Sequence, residues 1–492
     1  MIDDDPGQPH APGPGSAATP SASPEPIDHL LTRESGLKRQ LNRRQLTMIA
    51  MGGAIGTGLF LGSGLAISLA GPGVILSYIL GVAVCLVMMS ALTEMAVVHP
   101  TAGSFGVYAE TYLSPWAGFV VRTTYCMAQV VAIGGEVTAA AIYTRFWFPN
   151  APLWIWITLY SGALVVVNLT SVKNFGEFEY WFAMIKVAAI VFFIVLGVGY
   201  VFHGFGTPAP GLTRWTAEGG FLPHGFGGVL KAMLIVIFSF YGIEIIAVTA
   251  GEARDPRREV PRAMRSVVFR LSLFYILSIA LVVAVAPWTR AGLSESPFVT
   301  VFRSVGVPYA AGLMNFVILT AALSSMNTNL YLTSRTLFSL SRSGLAPRSL
   351  GRLSRHGIPR RAILVSMVGL AAAAVLSLKY ADSVYLWMFG ISIFGGILVW
   401  ILILATLIAF RARRRRAGLP PSPLQMPLYP WLAWAGIAAL AAILADAFFI
   451  DLAIAWYAGV PWLVFVSVIY GLFLRKRGSA KGPDASATPA GG

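Results

Sequence analysis

Hydrophobic positions in this chain gather into runs of about 20 residues, the length an α-helix needs to cross the roughly 30 Å hydrocarbon core of a bilayer. Twelve such runs are read, at about Leu46 to Ala66, Gly73 to Val97, Ala117 to Phe146, Leu153 to Thr170, Tyr180 to Phe202, Gly228 to Ala250, Met264 to Ala286, Ala310 to Leu340, Ala362 to Leu378, Ser383 to Phe410, Tyr429 to Phe449 and Ile454 to Leu474. The pattern predicts an all-α polytopic membrane protein of 12 transmembrane helices in one membrane domain over residues 38–476. Residues 1–37 are rich in Pro, Ala, Ser and Gly without an apolar stretch and read as a disordered tail; 477–492 read as a second one. The first apolar run starts only at Leu46 and is long enough to span, so it is not a secretory signal.

Composition agrees. Hydrophobic residues make up 56% and charged residues 12% of the 492, against about 25% charged in soluble domains, which excludes a soluble globular enzyme. The formal charge of +15 raises nucleic acid as a partner, so the placement of the 36 basic residues decides its meaning. With the N-terminus in the cytoplasm, 27 of them fall on inner segments and inner span ends, 5 on outer loops and outer span ends, and 4 (Arg122, Lys186, Lys231, Arg270) in the interior of spans. That is the positive-inside distribution of a chain with both termini cytoplasmic, with no nucleic-acid patch. Cys85 and Cys126 lie inside apolar runs, the six histidines are scattered, and no phosphate-binding loop is present. No cofactor, metal site or direct ATP drive is therefore expected.

Two spans carry unusual chemistry. The first has glycines at 52, 53, 56, 58, 62 and 64. Close helix packing explains some of these, but each interior glycine costs a helix roughly 1 kcal/mol, and Gly56-Thr57-Gly58 favours local unwinding. Unwound backbone at membrane depth is tolerated where it lines a cavity or meets a ligand, and amides opening a half-helix suit a carboxylate. The sixth span, Phe238-Ser-Phe-Tyr-Gly-Ile-Glu244, is also polar and glycine-broken at mid-span. Interrupted segments five spans apart sit in halves of opposite orientation, the pattern that marks the central site of an inverted-repeat transporter.

Gly52-Gly-Ala-Ile-Gly-Thr-Gly-Leu-Phe60, Ala91-Leu-Thr-Glu-Met95, Gly103-Ser-Phe with Tyr108-Ala109, Met184-Ile-Lys-Val, Phe238-Ser-Phe-Tyr-Gly-Ile-Glu244, Ala250-Gly-Glu-Ala-Arg-Asp-Pro256 and Ser324-Ser-Met-Asn327 closely resemble the bacterial and fungal amino acid permeases of the amino acid/polyamine/organocation superfamily. The resemblance covers roughly residues 38–476. It implies a leucine-transporter-type 5+5 inverted repeat plus two extra helices, alternating access, and proton-coupled amino acid uptake across the cell (inner) membrane. Exchange, and a membrane sensor that binds an amino acid without appreciable flux, stay open beside it.

The resemblance also implies roles. Backbone amides at Thr57 and Gly58, supported by Gly56, take the substrate carboxylate; the carbonyls of Ala54, Phe238 and Tyr241 take its α-ammonium; the Phe238 ring closes over it. Glu244 binds a cationic side chain, carries a proton or holds helix contacts, and Glu252 supports the inner gate. Lys186 falls where sodium-coupled relatives of the fold hold an ion, near Gly53 and Ser324 or Ser325, so its ammonium stands in for sodium in proton coupling; the alternative is snorkelling past Glu179 and Lys173 to the interface. Arg122 departs from the family's usual third span and is expected to snorkel, and Glu136, a further intramembrane carboxylate, to be a satisfied packing residue, with a coupling role as the alternative.

Overall fold

The computed structural model describes residues 43–101, 103–170, 175–204, 208–252, 255–306, 309–354, 359–450 and 452–474. The two expected tails and Lys173 lie outside these residues, as does the side chain of Glu252. Among the described residues the chain is helical, without a strand. In order its α-helices are α1 (Arg43–Ala54), α2 (Ser63–Ala70), α3 (Val74–Val98), α4 (Ser104–Tyr112), α5 (Pro115–Thr144), α6 (Leu153–Thr170), α7 (Phe175–His203), α8 (Arg214–Ala217) and α9 (Gly225–Ser239). These are followed by α10 (Ile245–Val248), α11 (Pro256–Val285), α12 (Pro297–Val305), α13 (Ala310–Arg342), α14 (Arg360–Ser366), α15 (Val368–Ser377), α16 (Val384–Arg416), α17 (Trp431–Asp446) and α18 (Ile454–Ile469).

Among the described residues, eight helical stretches are long and apolar enough to cross a bilayer, and three shorter apolar helices lie at Leu153–Val166, Gly225–Ser239 and Trp431–Asp446. The first stretch, Thr47–Val98, has 52 residues, far more than one crossing of about 20. It reverses at Gly71-Pro72-Gly73, where Gly71 takes φ +59° and a Cβ on it would collide with Pro223. Pro72 sits at the start of this short turn, where its missing N–H costs no helical bond.

The most buried stretch is α5, which packs along α13 and α16. Its start is set by Ser114, whose Oγ accepts from Ala117 N at 3.1 Å, with Pro115 in the first turn. It meets α15 without intervening side chains: a Cβ on Gly134 would stand 2.7 Å from Gly369 O, the close approach that small residues permit between membrane helices.

Arg122 does not snorkel. It is 1% exposed and ion-paired with Glu110 of α4, and it donates to Ser343 Oγ at 2.6 Å. The short helix α4 lies against the start of α5 and carries the carboxylate that keeps the guanidinium inside the fold.

Candidate functional site

Both glycine-marked spans are interrupted. Helix α1 stops at Ala54, and helical turns resume as a wide turn over Gly58–Gly62 that runs into α2. At the break Ile55 N donates to Met51 O at 2.9 Å, Gly56 N to Ala54 O at 3.1 Å and Phe60 N to Gly56 O at 3.4 Å. Helix α9 stops at Ser239, and the chain turns through Gly242, at φ +100°, before α10. The two breaks cross in contact. A Cβ on Gly58 would stand 2.9 Å from Ser239 Cα, and one on Gly242 would stand 3.1 Å from Gly53 O. Tyr275 of α11 ties them, its hydroxyl lying 2.9 Å from both Ala54 O and Ser239 O.

Around the crossing lies a closed cavity. One part is bordered by Gly53, Ala54, Gly56, Gly58, Phe238 and Tyr241 of the breaks together with Ala132 and Glu136 of α5 and Ser325 and Asn329 of α13. A contiguous part adds Thr57, Gly135, and Tyr385, Met388 and Phe389 of α16. The space open to a water-sized sphere is about 10 Å³, room for about one water. Phe238 covers it, with its ring centroid 4.3 Å from that of Phe389.

Buried polar groups are normally satisfied, and three on this wall are not. Glu136 Oε2, Tyr241 Oη and Tyr385 Oη are buried without a hydrogen-bond partner among the described residues. The other Glu136 oxygen accepts from Ser325 Oγ at 3.0 Å. Contrary to the expectation of a satisfied packing residue, Glu136 faces the cavity and is the one charged side chain among its lining residues. Only its position on α5 opposite the first break reveals this; an isolated Glu in an apolar run carries no such signal in sequence.

Glu244 stands apart from the lining. It is fully buried, accepts from Tyr125 Oη at 3.0 Å, and receives Gly242 N at 3.2 and 3.1 Å on its two oxygens, so it braces the turn of its own break.

Lys186 of α7 is fully buried behind the first break and donates from Nζ to Gly52 O at 2.6 Å. Gly52, rather than Gly53, is thus its backbone partner. Ser324 is committed to Glu179, donating to Oε1 at 2.6 Å, and Ser325 to Glu136. Glu179 is itself fully buried, and Lys186, buried with its Nζ on Gly52 O, does not snorkel. The carboxylates acting electrostatically on Lys186 are Glu179 and Glu136.

A sequence profile described as amino acid permease matches residues 45–481. The chain belongs to the amino acid permease family. It is similar to the gamma-aminobutyric acid permease of Bacillus subtilis, 41% identical over 420 residues that cover 85% of this chain and 89% of that protein. To the aromatic amino acid transport protein AroP of Escherichia coli it is 37% identical over 445 residues, covering 90% and 97%. To a putative histidine permease of B. subtilis it is 39% identical over 447 residues, covering 88% and 93%. As a member of this family the chain is a multi-pass membrane protein that serves amino acid transport and is not an enzyme.

Proposed function

We propose that this permease is a secondary active transporter that takes up neutral amino acids across the bacterial cytoplasmic membrane by alternating access, coupled to protons. The observation that carries the reading is the crossing of two helix breaks around a closed cavity whose wall holds three unpartnered polar groups. The Thr57 and Gly58 amides, beside Gly56, receive the carboxylate. The carbonyls of Ala54, Phe238 and Tyr241 receive the ammonium, and Glu136 supplies the opposing charge. With Glu136 engaged by the α-ammonium, the lining keeps no acid for a cationic side chain, which is why neutral substrates are favoured. Glu244 acts as a structural brace and Glu252 at the inner gate, while Lys186 carries the coupling proton.

The relatives' names span gamma-aminobutyric, aromatic and histidine transport at similar identity, so the choice of side chain is left to the walls formed by Ala132, Gly135, Met388 and Phe389. Dividing the first stretch at Gly71–Gly73 and adding the three shorter apolar helices brings the eight spans to twelve. This count suits a 5+5 inverted repeat plus two helices, within a domain at 38–476 flanked by cytoplasmic tails 1–37 and 477–492. The test is a thermal-shift screen of the purified protein against the twenty amino acids, because a selective ligand stabilises the folded state. It is followed by radiolabel accumulation in proteoliposomes under an imposed pH gradient. Stabilisation by a neutral amino acid that then accumulates supports the reading. Stabilisation without accumulation makes the protein a sensor, and accumulation only with a counter-substrate inside makes it an exchanger.

A further inference from the structure

A second cavity, of about 440 Å³, opens where the end of α16 meets the loop that leads to α17. Its wall includes Glu94, Phe410, Arg411, Arg414, Arg415 and Gln425. Glu94, the one acid in the lining, is occupied: Arg411 donates to it through Nε at 2.7 Å and Nη2 at 2.6 Å, and Met426 N adds a bond at 2.8 Å. Arg414 and Arg415 also stand on the wall, Arg415 at an exposed position. Arg414 is held in place, with Nη2 donating to Pro420 O at 3.0 Å and its guanidinium 5.5 Å from the Phe410 ring centroid. Nearby His99 adds no charge near neutral pH, because burial, assisted by the Arg414 guanidinium, pushes it down to about 4.

A helix C-terminus ordinarily repels anions. Here Ala417 N, Gly418 N and Leu419 N cap the carbonyls of Arg413, Arg415 and Arg414 at 3.0, 3.2 and 3.1 Å, which removes much of that opposition. The charge bias of inner loops accounts for the arginines, but not for a loop folded back to wall a cavity beside them. On either side of Tyr429 of the lining, Leu428, Trp431 and Trp434 are 74%, 77% and 56% exposed. They offer an apolar track leading away from the basic pocket, with tryptophans at the position typical of a membrane interface.

We propose that this cavity binds the phosphate headgroup of an anionic phospholipid, with Arg414 and Arg415 on the phosphate and the acyl chains along the exposed start of α17. The exposed Trp431 and Trp434 favour a lipid over a free phosphate, which would use none of that surface. The site is independent of the transport reading.

The test places the full chain in nanodiscs of phosphatidylcholine with a graded share of phosphatidylglycerol, and native mass spectrometry counts the lipids retained on release. The protein is expected to retain phosphatidylglycerol in preference to phosphatidylcholine. Arg414→Gln/Arg415→Gln should weaken that retention about 25-fold, or fivefold for each arginine near the membrane surface, and Arg414→Lys/Arg415→Lys should restore most of it. Arg411 is left intact so that Glu94 keeps its partner. If the double variant is not monodisperse, Arg415→Gln alone, at an exposed position, reads the fivefold step. Equal retention by variant and wild type would overturn the site. Displacement of the lipid by millimolar inorganic phosphate would overturn its assignment to a lipid and leave a free-anion pocket.

Discussion

Gly56 and Gly58 are two residues apart, yet the space around them differs in kind. A Cβ on Gly56 would meet the Ser325 hydroxyl and a Glu136 oxygen, both ends of side chains, whereas one on Gly58 would meet the backbone of Ser239. Gly56→Ala is therefore expected to keep Tm within a few degrees while substrate-induced stabilisation is lost. Gly58→Ala should lower Tm itself by forcing the two breaks apart. Thermal shift with and without substrate separates the two, and the reverse ranking would contradict the crossing described above. Glu136→Gln preserves shape and removes charge. Hydrogen bonds to charged groups are worth about 1.5–3 kcal/mol, so substrate affinity should fall by roughly ten- to a hundredfold with expression unchanged; unaltered affinity would remove Glu136 from the ammonium site. The glycines were legible because their density has a backbone meaning. Glu136 was not, because what sets it apart is an oxygen left without a partner after folding, which no spacing encodes.

Among the elements, long apolar runs translated almost directly into helices: the run read at Gly73 to Val97 is α3, Val74–Val98, and that at Ala310 to Leu340 is α13, Ala310–Arg342. Bilayer thickness imposes one length on every crossing, which makes hydropathy informative. Helices lying outside the apolar runs, such as α4 (Ser104–Tyr112) and α12 (Pro297–Val305), escape that constraint and were missed. Missing α4 also explains the error at Arg122, since the partner Glu110 belongs to it. Removing one member of a buried ion pair typically costs about 3–5 kcal/mol, while replacing both by apolar groups is often neutral. Glu110→Gln should thus destabilise strongly, Arg122→Met less because Glu110 at 15% exposure reaches water, and the combination of Glu110→Leu with Arg122→Met least of all. Tm values for the three variants test the order; a double variant worse than either single one would show that the guanidinium's contacts to Ser343 and Ser339 matter more than the pair.

For the molecule as a whole, the question is how the closed cavity is linked to an energy source. Lys186 touches no cavity residue's side chain through its one described hydrogen bond, but grips Gly52 O two residues before α1 ends. On the proposed reading, a proton gained or lost there acts directly on the end of α1, the helix that leads into the first break. Lys186→Ala is expected to keep substrate-induced stabilisation while losing accumulation driven by a pH gradient, with sodium having little effect on the unmodified protein. Undiminished proton-driven accumulation in the variant, or a strict sodium requirement, would refute the coupling role. The family and the two interrupted spans were readable at this scale because several separated motifs agree. The burial of Glu179 was not, since seven residues of helix before Lys186 measure distance along an axis and say nothing of which face turns inward.

Tyr275 has one proton and two carbonyls within reach, Ala54 O and Ser239 O. This gives the site a reserve acceptor. When an ammonium arrives at Ala54 O, the phenol can turn its proton wholly to Ser239 O, so the guest displaces no donor into isolation. On the proposed reading, the resting protein thereby holds its own placeholder for the substrate's positive end and surrenders it at little cost. Tyr275→Phe should lower the Tm of the unliganded protein yet enlarge the shift produced by saturating substrate, because Ala54 O then has one competitor fewer. A smaller shift would mean that the phenol belongs to the bound state instead.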